Sequence, residues 1–401
     1  MADLLPLDEA QRLILERVRP LEAERVPIER AAGRVLAEPA AASLDLPPFP
    51  SSAMDGFALR SDDTGRVPVS FPVVAEIEAG RPAPHALAPG EAMRISTGGA
   101  LPTGADAVVP IELVDDGGTS ITVRTPVAPA AHVRARGSDT VEGAVVLEPG
   151  IRLGPAQVAA LAAAGVAEVR CAKRPRVGIL VTGSELRPPG APLAPGEIYE
   201  SNGALLAAAL NGAGAVPALL GVVPDEREEH ERAIERALLG FDMLVTSGGA
   251  SVGPHDLVRE VQRDLRVEEV FWGVSVKPGK PVAFGLRRDH VVFNLPGNPV
   301  SVLVTFELLV RPAVNALLGL ADPLPAYFSG RLARPVRRNE RRLEFVRARS
   351  RRENGGALLD PLDGQESHMI VRAAPADALV EIEPGPGEIA EGESVRFLPL
   401  S

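Results

Sequence analysis

Residues 173–320 alternate short apolar runs with helical periodicity, and this alternation constrains the fold of the 401-residue chain more than any other feature. Residues 177–182, 218–223, 243–246, 282–285 and 291–294 read as strands, and 204–210, 226–239 and 300–318 as helices. Such a pattern predicts a central three-layer α/β domain with a mostly parallel sheet covered on both faces. Ligands of that architecture bind beyond the carboxyl ends of the strands. The segments that follow each strand are therefore where chemistry is expected.

Three such segments have the composition of an oxyanion site. In 246–256 a strand runs into Ser247, Gly248, Gly249, Ser251, Gly253 and Asp256, small residues that let backbone N–H groups and a helix start approach an anion. A tight strand-to-helix turn would use the same glycines. In 295–301, Pro296 leads into Asn298 as helix N-cap and Pro299 at the first helical position, another donor-rich terminus. Between them lies Lys277-Pro278-Gly279-Lys280-Pro281. The chain has only three lysines, and two are here. Prolines stiffen this loop, and an ammonium is a compact point charge suited to a small tetrahedral oxyanion. Three carboxylates, Glu185, Asp225 and Asp256, follow strands and can converge on one Mg²⁺ or an activated water. Asp225 is equally placed to cap helix 226–239, with Glu228 completing a capping box.

The rest of the chain divides around this unit. Residues 1–45 and 140–172 read as one N-terminal domain in two parts. Its first helix spans 7–18, with Asp8 and Gln11 as a capping box, and its second opens at Gly154-Pro155 and closes at Gly165. Short apolar stretches between Gly, Pro and Asp make 46–139 an inserted β-rich domain. Residues 321–401 carry strands at 344–348, 378–382 and 394–398, a small C-terminal β-barrel domain whose start is rich in arginine, from Arg337 to Arg352.

Composition narrows the function. A net charge of −11 argues against nucleic-acid or membrane binding, so an anion must be held by a local pocket. The single cysteine, Cys171, excludes an intrachain disulfide framework and fits a reducing, cytoplasmic setting. Acidic residues interrupt the N-terminus before any signal-like run. No apolar run reads as long enough to cross a bilayer.

Six collinear segments carry a resemblance: 52–58 (Ser-Ala-Met-Asp-Gly-Phe-Ala), 94–98 (Arg-Ile-Ser-Thr-Gly), 182–186 (Thr-Gly-Ser-Glu-Leu), 246–256, 277–281 and 295–301. The chain resembles the molybdopterin molybdenumtransferases, the MoeA family that includes the gephyrin E domain. The resemblance implies a cytoplasmic, Mg²⁺-requiring homodimer that converts adenylylated molybdopterin and molybdate, or tungstate, to molybdenum cofactor and AMP. A contact with the adenylyltransferase that makes its substrate is also in view. By the same resemblance Lys277, Lys280, Arg342 and Ser367 would hold the metal oxyanion. The glycine loop with Ser247 and Ser251 would hold the pterin phosphate, and Glu185, Asp225 and Asp256 would position metal and water. Asp55, Thr97, Arg134 and Asp139 would reach the site across the dimer interface. Two departures stand out: Gly273 follows Phe271-Trp272 where relatives can carry a third lysine nearby, and Glu200 precedes Ser201-Asn202 where Asp or Asn is usual. The competing readings are a molybdopterin adenylyltransferase, needing only the α/β unit, and a dimeric scaffold that clusters a partner.

Overall fold

Successive side chains of a strand point to opposite faces, and the central strands bury both of theirs. The computed structural model describes residues 4–248, 257–353 and 355–400. Six strands form the central sheet in the order Val216–Val223, Arg176–Thr182, Met243–Ser247, His290–Leu295, Ala283–Arg287, Glu268–Trp272. Val177, Ile179, Val245 and Phe293 pack on one side with helix Asn202–Ala213, the final helix and Ile14 of the first helix. Leu180, Leu244 and Val292 pack on the other with Ile234 and Ala237 of helix Arg227–Gly240 and with Val258 and Val261.

The first four strands are parallel, as the alternation predicts, but Ala283–Arg287 runs antiparallel to both its neighbours, His290–Leu295 and Glu268–Trp272. Only Arg288 and Asp289 separate Ala283–Arg287 from His290–Leu295, and two residues make a hairpin, never a crossover. The edge strand Glu268–Trp272 was absent from the sequence reading because it is short and only partly buried.

Several helix ends differ from expectation. The first helix, Leu7–Arg17, has Pro6 at its cap position and no capping box. Gln11 instead donates to Leu308 O at 2.9 Å, since a buried amide needs a partner more than an exposed helix end does. Asp225 is not the N-cap of Arg227–Gly240; Glu226 takes that position, without a side-chain bond. The final helix is three pieces, Pro299–Thr305, a π turn at Phe306–Val310 and Arg311–Leu317. By length and composition alone this run could cross a membrane, but Glu307 and Arg311 interrupt it and it is 78% buried inside the protein. It is a core helix.

The inserted segment forms its own six-stranded sheet, from Gly56–Leu59 to Ser120–Val123. The C-terminal strands Phe328–Leu332, Leu343–Glu353, Gly356–Pro361, Ala378–Ile382 and Ser394–Pro399 pair in a closed ring, a five-stranded barrel. Closure leaves no free edge among them. A two-residue strand, Val276–Lys277, also pairs in parallel with Leu343–Glu344. One lysine of the pair is thereby stitched to the barrel.

Candidate oxyanion site

Backbone packing brings the strand-end loops together. Gly248 has φ +93°, and a Cβ there would lie 2.3 Å from Thr182 O, so only glycine lets this strand end pass its neighbour. Behind it, Thr246 Oγ1 and Gln262 Nε2 both donate to Asn294 Oδ1, at 2.8 and 2.7 Å, and Asn294 Nδ2 returns a bond to Gln262. Asn202 Nδ2 donates to Ser247 Oγ at 2.9 Å and to Gly297 O at 2.7 Å, while Ser247 Oγ donates to Pro296 O at 3.1 Å. Ser247 is fully buried. Its hydroxyl joins the 247 and 297 loops, a role its sequence context did not reveal. Gly249, Ser251, Gly253 and Asp256 lie outside the described residues.

The lysine loop is shaped by what it packs on. Gly279 has φ +113°, and a Cβ there would meet Thr305 Cγ2 at 2.4 Å. Lys277 Nζ pairs with Glu344 Oε1 at 2.9 Å, whereas Lys280 makes no ion pair among the described residues. Arg342 donates from Nη1 to Val276 O at 3.2 Å, and its backbone N–H donates to Asn339 Oδ1 at 2.9 Å. Asn298 Nδ2 donates to Ser367 Oγ at 2.9 Å and Val300 N to Ser367 O at 3.1 Å, fixing the barrel loop to the start of the final helix. Asn298 thus uses its side chain across the domains and makes no cap bond. The result is a cavity of about 640 Å³ lined by Lys277, Lys280, Pro296, Asn298, Arg342 and Ser367. Pro299 sits beside it as the first helical residue.

Arg347 supports this loop from inside the barrel. It is 1% exposed, and its Nη2 donates to Gly364 O at 3.2 Å, while Gln365 Oε1 accepts from Arg347 N at 3.0 Å. Burial pushes its guanidinium below the ordinary arginine value. From sequence it was one arginine among many. Glu344 was missed as well; it pairs with Lys277 from the start of barrel strand Leu343–Glu353.

Glu185 and Asp225 are exposed at the ends of adjacent strands, with Ser184 Oγ 3.3 Å from Asp225 Oδ2. Among the described residues no cluster of three metal-type ligands forms. In the inserted unit, Thr97 donates to Asp55 Oδ1 from its N–H at 2.7 Å and its hydroxyl at 2.9 Å, holding the carboxyl below its ordinary value. Arg134 pairs in register with Ser51 nearby, and Asp139 N donates to Leu46 O at 2.9 Å. All four of these side chains are exposed. The two departures have physical explanations. Gly273 has φ +86°, so a lysine there would be held in a strained left-handed backbone, and its Cβ would displace the Leu4 side chain. Glu200 accepts from Gly203 N at 2.7 Å, closing the first turn of helix Asn202–Ala213.

The strand ends of the mostly parallel α/β unit meet a cation-bearing barrel. Family models match in order: the MoeA N-terminal region (domain I and II) over residues 5–165, a probable molybdopterin binding domain over 178–316, and the MoeA C-terminal region (domain IV) over 329–400. Molybdopterin molybdenumtransferase 2 of Mycobacterium tuberculosis is 36% identical, over 98% of this chain and 99% of its own. The molybdopterin molybdenumtransferase of Haemophilus influenzae is 35% identical over 99% of both. The crystal structure of a molybdopterin biosynthesis MoeA protein from Pyrococcus horikoshii matches with a TM-score of 0.84, 34% identity and 99% of both chains. The chain belongs to the MoeA family of molybdopterin molybdenumtransferases.

Proposed function

We propose that this chain is a transferase of molybdenum cofactor biosynthesis that inserts molybdenum into molybdopterin, acting on the adenylylated pterin and molybdate with release of AMP. The observation that carries this reading is the cavity where Lys277, Lys280, Arg342 and Ser367 converge from three separate segments. Ammonium and guanidinium groups in a partly enclosed pocket neutralise a tetrahedral dianion, and the Ser367 hydroxyl adds a hydrogen bond to one oxygen. Tungstate, equal in charge and nearly equal in size, would fit the same set.

The pterin phosphate is assigned to the strand ends at Gly248, whose φ of +93° lets the backbone pass close to Thr182, and the proposal extends to Gly249, Ser251 and Gly253, which lie outside the described residues. Pro296 and Pro299 frame the approach and hold the last loop stiff. Glu185 and Asp225 give an all-oxygen donor set that fits Mg²⁺, which takes one or two carboxylates plus substrate phosphate oxygens; Asp256 is the third proposed ligand. When bound, Mg²⁺ would neutralise charge on the phosphoanhydride. The protein's own part is positioning: the lysines fix the oxyanion, the strand-end loops fix the pterin, and both are held before chemistry begins.

Neither of the two neighbouring cavities lined by the lysine pair, of about 640 and 1590 Å³, is lined by Asp55, Thr97, Arg134 or Asp139. Their exposure supports a homodimer in which a second copy supplies them. A cytoplasmic location, and a transient contact with the adenylyltransferase that would hand over the pterin, belong to the same proposal. An adenylyltransferase would leave Arg342 and Ser367 of the barrel without a role, and a scaffold would need none of these side chains. The test is AMP release from adenylylated molybdopterin with Mg²⁺ on addition of molybdate. The Lys277→Ala/Lys280→Ala protein should lose it, and release at the normal rate would refute the site.

A further inference from the structure

Apart from Arg342 and Arg347, the arginine-rich start of the barrel has no part in the site above, yet it lines a cleft of about 1590 Å³. Seven basic side chains face it against four acidic ones, in a chain whose net charge is −11. Arg334 is occupied by Asp360 and Asp363, at 3.2 and 2.9 Å. Arg337 and Arg341 are exposed and make no ion pair among the described residues, and Arg338 Nε is buried with no hydrogen-bond partner there. The cleft and the 640 Å³ cavity are neighbours, because Lys277, Lys280, Arg342 and Gln365 line both. Glu344, which holds Lys277, lines only the cleft.

We propose that this cleft is a separate entrance for the metal oxyanion, delivering a tetrahedral dianion to the lysine pair from the barrel side while the pterin occupies the strand ends. The inference rests on the molybdenum-insertion reading and adds a route to it. An acidic protein repels a free dianion at long range, and a cationic cleft with low-dielectric walls reverses that locally and raises the encounter rate. A pterin seated over the strand ends would cover the smaller cavity from its own side. The cleft still reaches the same two ammonium groups. Arriving there, the dianion meets Lys277 paired with Glu344 and must displace that carboxylate, so the exchange of one anion for another completes loading. Arg337, Arg338 and Arg341 steer and do not hold the bound anion.

The test is steady-state AMP release against molybdate concentration at several ionic strengths, with adenylylated molybdopterin binding measured in parallel. In the full-length Arg337→Gln/Arg338→Gln/Arg341→Gln protein, kcat/KM for molybdate should fall at least about tenfold at low salt and lose most of its salt dependence. The kcat at saturating molybdate and the pterin affinity should stay at wild-type values. Because Arg338 is half-buried, Arg337→Gln/Arg341→Gln serves if the triple variant does not fold, with the same direction expected. An unchanged kcat/KM for molybdate overturns the entrance, as does a loss confined to pterin affinity, which would make the cleft a pterin site. Wild-type protein that releases no AMP on adding molybdate would instead refute the function itself, and the entrance with it.

Discussion

Gly279 separates the two lysines, and replacing it by alanine tests whether the loop's shape, not merely its charge, makes the site. Two costs are distinct in the structure. At φ +113° an alanine is in a region open essentially to glycine, a penalty of about 1–3 kcal/mol. The new methyl would also meet Thr305 Cγ2 at 2.4 Å, an overpacking cost of about 1–3 kcal/mol. The other neighbours, Ser301 O and Val276 Cγ2, both lie at 3.7 Å and are ordinary contacts. Gly279→Ala should therefore destabilise the protein by about 2–6 kcal/mol or displace the loop to avoid that cost. Thr305→Ser removes the clashing methyl while keeping the hydroxyl bond to Ser301 O at 2.8 Å. Added to Gly279→Ala it should recover the steric part and leave the backbone part. Urea unfolding of the three variants and wild type gives the stabilities, and molybdate-dependent AMP release reports the lysine geometry. Wild-type stability and turnover for Gly279→Ala would refute the argument from φ. No rescue by Thr305→Ser would refute the steric assignment.

Glu344→Gln keeps the shape of the side chain but frees Lys277, which is 41% exposed in its pair. The apparent affinity for molybdate should tighten about two- to fivefold, the scale of a partly exposed ion pair; weaker binding would mean that Glu344 orients the lysine instead of competing for it. For Asp55, the sign of the pH effect follows from its depressed folded pKa: its contribution is present above the unfolded value and disappears as pH falls through the lowered one. Thr97→Val removes the hydroxyl bond and keeps the backbone one, so the Asp55 midpoint in a carboxyl NMR titration should rise toward 3.8. An unmoved midpoint would show that the hydroxyl contributes nothing.

Local pattern was enough to place five of the six central strands and three of the five barrel strands, since apolar runs and helical periodicity are properties of neighbouring residues. Residues 177–182 and 378–382 show this: the first lacks only Arg176 of the observed strand, and the second matches Ala378–Ile382 fully. The resemblance named the oxyanion residues, and residue chemistry pointed independently to Lys277 and Lys280. Local pattern did not decide what depends on a distant partner. Gln11 left its expected capping role because Leu308, in a π turn almost 300 residues on, presents a carbonyl. The antiparallel end of the sheet followed from a two-residue gap, which the run of strand-like segments concealed. Ser247 read as a free hydroxyl at a glycine loop, but its bonds to Asn202 and Pro296 exist only once three strand ends meet. By itself the sequence determined the family, the α/β and barrel units and the cationic loop, because these are encoded in adjacent residues. Tertiary structure alone decided that Lys277 rests on Glu344, that Arg347 supports the Ser367 loop from the barrel core, and that a second, arginine-walled cleft reaches the same two lysines. Those contacts join residues tens of positions apart, and only packing sets their distances.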